Sequence, residues 1–349
     1  MSWSKFEALP NYFGGKRGLI KDIFKHIKKK DGVFIDAFLG GGSVSLWAKA
    51  KGYKVICNDI AERSYLVGKA LIENSRVKIA EEDLARLFIE TKHSGFIKKN
   101  YVPKVFLPQI AEFLDNAFTI VKNGFIKDSA KQYLMFLLLL KFTQRTRPFS
   151  KFTHTKYNYA LLEEDYETAL TSSAKGQLSK SLAAANLRMI QHPLITLMAF
   201  KNIINRGVFD NHQENEVHKM DIFDFLKRAS GDVVYFDPPY PGASAYENEY
   251  HVVDCILAEK KIEKDISVFS KADAKVFIEN MLESARHIPQ WIISLGQTHP
   301  DEGVKPDELL KMVCKFRQAE VEMVEHRWAI NNVSGRPQSD NIEYIVHTL

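Results

Sequence analysis

The segment GDVVYFDPPYPGASAY, Gly231 to Tyr246, ends a strand-like apolar run in an aspartate, two prolines and a tyrosine. Asp237 places a carboxylate directly after the run Val233 to Phe236. Pro238 and Pro239 lack amide donors, hold their φ angles, and bias the residues before them towards extended geometry. The turn is therefore stiff, and its free carbonyls point in fixed directions. A carboxylate beside such a carbonyl offers two acceptors to a group with two N–H donors, and an aromatic amine is such a group. Tyr240 adds a ring against which the base of that amine stacks. Alone, the same four residues also describe an extended loop leaving a strand.

Three more acids follow strand-like runs: Asp36 after GVFI, Asp59 after YKVICN, and Asp221 after EVHKM. In an open parallel sheet, ligands sit beyond the carboxyl ends of the strands, where the connecting loops converge. FLGGGS (Phe38 to Ser43) allows close backbone approach and presents amides at a helix start. It lacks the lysine of a phosphate-binding loop and does not match GxGxxG. Asp59 lies 19 residues beyond Gly40, where a Rossmann-like sheet places the acid that takes ribose hydroxyls. An adenosine-bearing cofactor without a pyrophosphate fits this combination, and S-adenosylmethionine answers that description.

The elements that must position these groups alternate. GVFID reads as a strand, SVSLWAKAKG as a helix with serine at its start and glycine past its end, and YKVICND as a second strand. Strand, glycine turn, helix and strand make a βαβ unit and imply a parallel sheet with a right-handed crossover. From Glu62 to Phe209 helical periodicity takes over, in EEDLARLFIETKHSG and DSAKQYLMFLLLLKF. Strands resume at EVHKMD, DVVYFD, QWIISLG, VEMVEHRWAI and NIEYIVHT, with KADAKVFIENMLESARH as a helix between them. The expected architecture is a Rossmann-like α/β sheet with a mostly helical insertion; a resemblance to methyltransferases, carried by the motifs taken together, implies that it is mostly parallel with an antiparallel C-terminal strand. Residues 1–61 and 210–349 form the catalytic domain, and 62–209 a largely helical inserted domain.

The 349 residues, 45% hydrophobic and 26% charged, have the composition of a globular protein. The longest apolar run, Tyr133 to Leu140, is far short of the roughly 20 residues of a membrane span, and no signal peptide is visible. Cys57, Cys255 and Cys314 have no paired or metal-type spacing, which suits a reducing cytoplasm and small buried side chains. The net charge of +5 matters less than its distribution. Between Ser129 and Leu162 no acid occurs, while Lys131, Lys141, Arg145, Arg147, Lys151 and Lys156 alternate with Phe142, Phe149, Phe152, Tyr157 and Tyr159. Cations interleaved with aromatics suit a polyanion that carries flat bases; a solvated loop around a core is the plainer reading.

Taken in order, these motifs resemble the Dam-like DNA adenine methyltransferases. NYFGGKRGL (Asn11 to Leu19) is similar to that family's N-terminal cofactor motif and FIDAFLGGGSV to its methionine-side glycine motif. CNDI is similar to its ribose motif and DPPY to its catalytic motif. The acid one helix upstream of DPPY and the insertion after CNDI follow the same order. The resemblance implies that Tyr12, Gly14, Lys16, Asp36, Phe38, Gly40, Gly41, Gly42, Asp59, Asp221 and Asp237 surround S-adenosylmethionine. It implies that Asp237, Pro238, Pro239 and Tyr240 hold the base, and that Arg145, Arg147, Lys151 and Lys156 meet duplex DNA. Tyr12 stands where tryptophan is frequent, and Asp36 where glutamate is frequent. FTQRTRPFSKFTHTKYNY only loosely follows the segment that accompanies GATC recognition, so the target sequence stays open.

The expected activity is site-specific methylation of the exocyclic amino group of a flipped-out adenine. The rivals are an RNA adenine methyltransferase with the same site and a DNA-binding protein that keeps the fold without catalysis. Cytosine-5 chemistry lacks its nucleophilic cysteine, cytosine amino methylation usually carries serine at the Asp237 position, and zinc chemistry lacks its ligand spacing. The expected partners are duplex DNA and a separately acting restriction endonuclease; the expected state is a monomer, with a dimer as the alternative. His26, His93 and His154 show no partner pattern, and NNVSGRPQSDN reads as a hairpin loop.

Overall fold

The computed structural model describes residues 3–12, 14–147, 152, 184–185, 187–239, 246–263, 267–270, 274–296, 304–326 and 341–349. In chain order, α1 (Ile20–Lys25) leads to β1 (Val33–Asp36), α2 (Ser43–Ala50) and β2 (Lys54–Asn58). There follow α3 (Glu62–Val67), which continues as a π-turn over Gly68–Glu73, α4 (Glu81–Arg86), α5 (Phe96–Tyr101), α6 (Pro108–Gly124), α7 (Ala130–Arg145) and α8 (Pro193–Gly207). The chain closes with β3 (Glu216–His218), α9 (Ile222–Leu226), β4 (Val233–Phe236), α10 (Tyr246–Ala258), α11 (Ala274–Ser284), β5 (Gln290–Gly296), α12 (Pro306–Cys314), β6 (Ala319–His326) and β7 (Asn341–Thr348).

The seven strands form one sheet in the order β3-β2-β1-β4-β5-β7-β6. All neighbours are parallel except the two pairs that involve β7. Strand order reverses between β1 and β4, so the crevice beyond their carboxyl ends is the topological switch point. Asp36 ends β1 and Asp237 follows β4, one on each side of that crevice.

Period-two alternation divides the strands between two apolar clusters. Phe34, Val55, Val233, Tyr235, Ile292 and Ile345 face one side. Ile35, Ile56, Val234, Phe236, Ile293 and Val346 face the other, under α9, α11 and α12. The first cluster continues without a break into α6, α7 and α8, through Leu114, Leu134, Leu138 and Ile204. The described helices between residues 62 and 209 thus share one core with the sheet. Among the described residues no helix is long and apolar enough to cross a membrane.

Several elements differ from the sequence reading for visible reasons. The α2 helix starts at Ser43 as expected, but its cap is Gly42, whose φ of 79° suits glycine. The helix expected over Glu81–Gly95 stops at Arg86. Asn116 donates to the carbonyls of Leu87 and Ile89 and accepts from the Thr91 amide, holding the chain in a turned path. Beyond β3 the edge is held by a side chain: Asn58 donates to the Met220 carbonyl and accepts from its amide, both at 3.1 Å. Cys57 and Cys255 are buried, while Cys314 is exposed. His26 lies 2.6 Å from Glu322 and stacks on His347, and His93 lies 3.1 Å from Glu112. His154 and residues 327–340, expected as a hairpin loop, lie outside the described residues.

Candidate active site

A cavity of about 690 Å³ opens at the carboxyl ends of the central strands. Its wall includes Tyr12, Gly14, Lys16, Asp36, Phe38, Gly40, Gly41, Asp59, Asp221, Asp237 and Pro239. Residues separated by more than 200 positions meet there because β1 and β4 are neighbours.

The glycine loop is shaped from both ends. Gly40 and Gly42 have φ of 52° and 79°, a region that side chains rarely adopt. Gly41 needs its size for another reason: a Cβ there would lie 2.5 Å from the Tyr12 Cβ. The N-terminal segment therefore lies directly across the loop. Gly42 does not line the cavity; its position packs against Val67, Leu9 and Leu39. Tyr12 stacks on Tyr250 with ring centroids 5.1 Å apart, and the Arg63 guanidinium lies 4.4 Å from the Tyr250 ring centre. Arg63 in turn pairs with Asp254 of α10, so α3 and α10 brace the aromatic pair.

Asp59 holds the loop through its carboxylate, which accepts from the Gly40 amide at 2.8 Å and the Ala61 amide at 2.9 Å. Burial pushes its pKa up, opposed by those two amides and by Arg63. Each carboxylate oxygen can accept more than one hydrogen bond, which leaves capacity for a hydroxyl. Asp36 is 1% exposed and accepts from the Ser45 hydroxyl at 2.7 Å through Oδ2. Its Oδ1 is buried with no hydrogen-bond partner among the described residues. Burial pushes its pKa up to about 7, with Ser45 opposing and Asp237 and Asp59 adding to the rise. Asp221 caps α9, accepting from the Phe223 amide at 2.9 Å at the cavity rim.

Lys16 is the charge at the centre. It is 2% exposed, lies 3.0 Å from Asp237 Oδ1 and 3.4 Å from Glu343 Oε1, and donates to the Gly14 carbonyl at 3.1 Å. Burial alone would lower its pKa, but the two carboxylates hold it above the usual lysine value. The Tyr235 hydroxyl donates to Ser294 at 2.9 Å, tying β4 to β5 below the acid-proline-proline turn. Pro238 is buried and Pro239 half-buried.

The structure brings the residues expected around the cofactor, Gly42 excepted, together with Asp237 at one cavity. Tyr240, Lys151 and Lys156 lie outside the described residues. The other two expected DNA contacts differ from each other. Arg145 is half-buried at the end of α7, whereas Arg147 is only 2% exposed, so its guanidinium does not face solvent as the sequence reading expected. Lys141 of the same basic stretch is buried too, donating to the Glu7 and Leu9 carbonyls. Sequence reasoning missed Arg63, Tyr250, Asp254 and Glu343. For Glu343 a signal existed: an acid inside the apolar strand NIEYIV is out of place on a buried face.

Comparison with known proteins agrees with this geometry. Residues 12–297 match the model of the D12 class N6 adenine-specific DNA methyltransferases. The chain is 28% identical over 343 residues to the type II methyltransferase M2.HphI of Haemophilus parahaemolyticus, covering 96% of each chain. It is 28% identical to M.NlaIII of Neisseria lactamica, covering 70% of this chain and 68% of that one. It is 24% identical to M.FokI of Planomicrobium okeanokoites, covering 77% of this chain but 39% of that longer one. With a family match over most of its length and an acid-proline-proline turn at the switch point of its sheet, the chain belongs to the D12 class of N6 adenine-specific DNA methyltransferases.

Proposed function

We propose that this site-specific enzyme binds S-adenosylmethionine across Asp36, the glycine loop and Asp59, and clamps the exocyclic amino group of a flipped-out adenine with Asp237 and the Pro238 carbonyl. The observation that carries the reading is the buried Asp36 carboxylate, whose Oδ1 has no hydrogen-bond partner among the described residues, on the strand beside the one that presents Asp237. A buried carboxylate oxygen without a donor is costly. An α-ammonium group supplies the missing donor, and the cavity of about 690 Å³ beside it accommodates the rest of such a molecule. When bound, this cofactor supplies an electrophilic methyl group on a sulfonium.

The protein's part is to make the amine a better nucleophile. Adenine's amino lone pair is delocalised into the ring, and inside a duplex it is out of reach; flipping it out costs a few kcal/mol. The Tyr240 ring offers a stacking surface worth on the order of 1–3 kcal/mol. The Asp237 carboxylate and the Pro238 carbonyl accept the two amino protons, and these bonds strengthen as positive charge grows on nitrogen. The resulting ammonium is acidic and sheds a proton after transfer, so no strong base is needed beforehand. The test is Asp237→Ala, assayed by labelled methyl incorporation into DNA and by cofactor binding. Incorporation should vanish while binding persists; near-normal turnover refutes the clamp.

We further propose that residues 62–209 carry target recognition, with Arg145 at its edge towards the N-terminal segment. Family membership assigns DNA as the substrate, against the RNA rival. A role beside a separate restriction endonuclease, in a reducing cytoplasm and as a monomer, completes the reading. Its support is that several similar proteins are type II methyltransferases or modification methylases.

A further inference from the structure

Glu343 lies on β7, opposite Gly296 of β5 and Val324 of β6. It is 1% exposed, and its carboxylate is 3.4 Å from Lys16 Nζ. Burying a carboxylate is expensive unless it has a charged partner. Here the partner is the same lysine that engages Asp237 Oδ1 at 3.0 Å. Lys16 is thus held by two carboxylates, one from the turn after β4 and one from β7, and by the Gly14 carbonyl.

We propose that Glu343 is a positioning residue for methyl transfer, acting through Lys16 on Asp237. The inference rests on Asp237 being the acceptor of the adenine amino group. An ammonium paired with Asp237 alone would neutralise that acceptor and draw it away from the amine. With Glu343 on its other side, Lys16 divides its attraction between two carboxylates. The three charges then sum to one net negative, beside the nitrogen that becomes cationic during transfer. Fixed charge aimed at developing charge in a water-poor site is a large source of rate enhancement. The raised pKa of Lys16 agrees with this arrangement, since both carboxylates keep it charged. Strand order explains how a C-terminal residue takes part: β7 inserts between β5 and β6, so Glu343 reaches the N-terminal loop from inside the sheet.

The experiment measures single-turnover methyl transfer from tritiated S-adenosylmethionine to DNA free of adenine methylation, with thermal melts as the folding control. Glu343→Gln keeps the shape and removes the charge. It should slow transfer on the order of 100-fold, while DNA and cofactor affinities stay within about threefold of wild type. The double variant Lys16→Gln/Glu343→Gln restores one net negative charge at Asp237 and should recover at least about tenfold of the lost rate. A structural role would make the double variant worse, not better. Glu343→Asp keeps the charge but withdraws it by one methylene; about tenfold slower transfer is expected, and it decides the matter where Glu343→Gln does not fold. A Glu343→Gln rate within threefold of wild type overturns the inference, as does a double variant no faster than the single one or a Glu343→Asp rate equal to wild type. Retained activity in Asp237→Ala instead refutes the underlying clamp, which keeps the two failures apart.

Discussion

Asp36 makes the most quantitative forecast, because its burial and its partners are both defined. In the cofactor-free protein its carboxyl is 1% exposed and its pKa rises to about 7 from an ordinary 3.8. The folded state therefore holds this proton more tightly than the unfolded chain does. Stability from this group is fully present below pH 3.8 and is lost as pH rises through about 7. Each pH unit within that window costs about 1.4 kcal/mol. Between pH 5.5 and pH 7.5 the wild-type protein should lose about 2 kcal/mol that Asp36→Asn, which cannot ionise, retains. The Asn side chain still accepts from Ser45, so that contact survives the change. The assay is urea denaturation of both proteins, without cofactor, at the two pH values, reading the change in their stability difference. An identical pH dependence for the two proteins would refute a buried, ionisable Asp36 and, with it, the reason an ammonium group is drawn to this site.

Other outcomes follow from the same geometry. Binding of S-adenosylmethionine at pH 6.5 should release part of a proton from wild type, as the arriving cation lowers the Asp36 pKa; calorimetry in buffers of different ionisation enthalpy should find this release absent in Asp36→Asn. Gly41→Ala should push Tyr12 off the loop, since the added Cβ falls 2.5 Å from the Tyr12 Cβ, and weaken cofactor binding at least tenfold in an equilibrium titration while the melting temperature changes little. Arg145→Ala should reduce the salt dependence of DNA affinity by about one phosphate contact. Arg147→Ala, at a buried position, should instead lower the melting temperature and leave the salt slope unchanged.

Asp36 and Asp237 were legible in the sequence because each follows a run whose apolar residues cover both faces of a parallel strand. Asp36 and Asp237 could be placed at one crevice from that pattern and the glycine turn, since a right-handed βαβ crossover leaves few other arrangements. The glycine loop and the Asp59 position were readable for the same reason: local backbone constraints and period-two alternation are properties of short segments. The fate of the basic stretch was not. Composition records the sign of Arg147 and Lys141, but whether a cation meets DNA or the carbonyls of the N-terminal segment depends on how α7 docks.

The sequence by itself determined the sheet, the glycine loop and the stiff acid-proline-proline turn after β4. Only the tertiary structure decided which charges share a site. Lys16 and Glu343 are 327 residues apart and are joined by strand order, through the insertion of β7 between β5 and β6. Long-range pairing of this kind arises from the packing of whole elements, which leaves no mark in local residue spacing. The same holds for Arg63 and Asp254, which meet because α3 and α10 pack on the same side of the cavity.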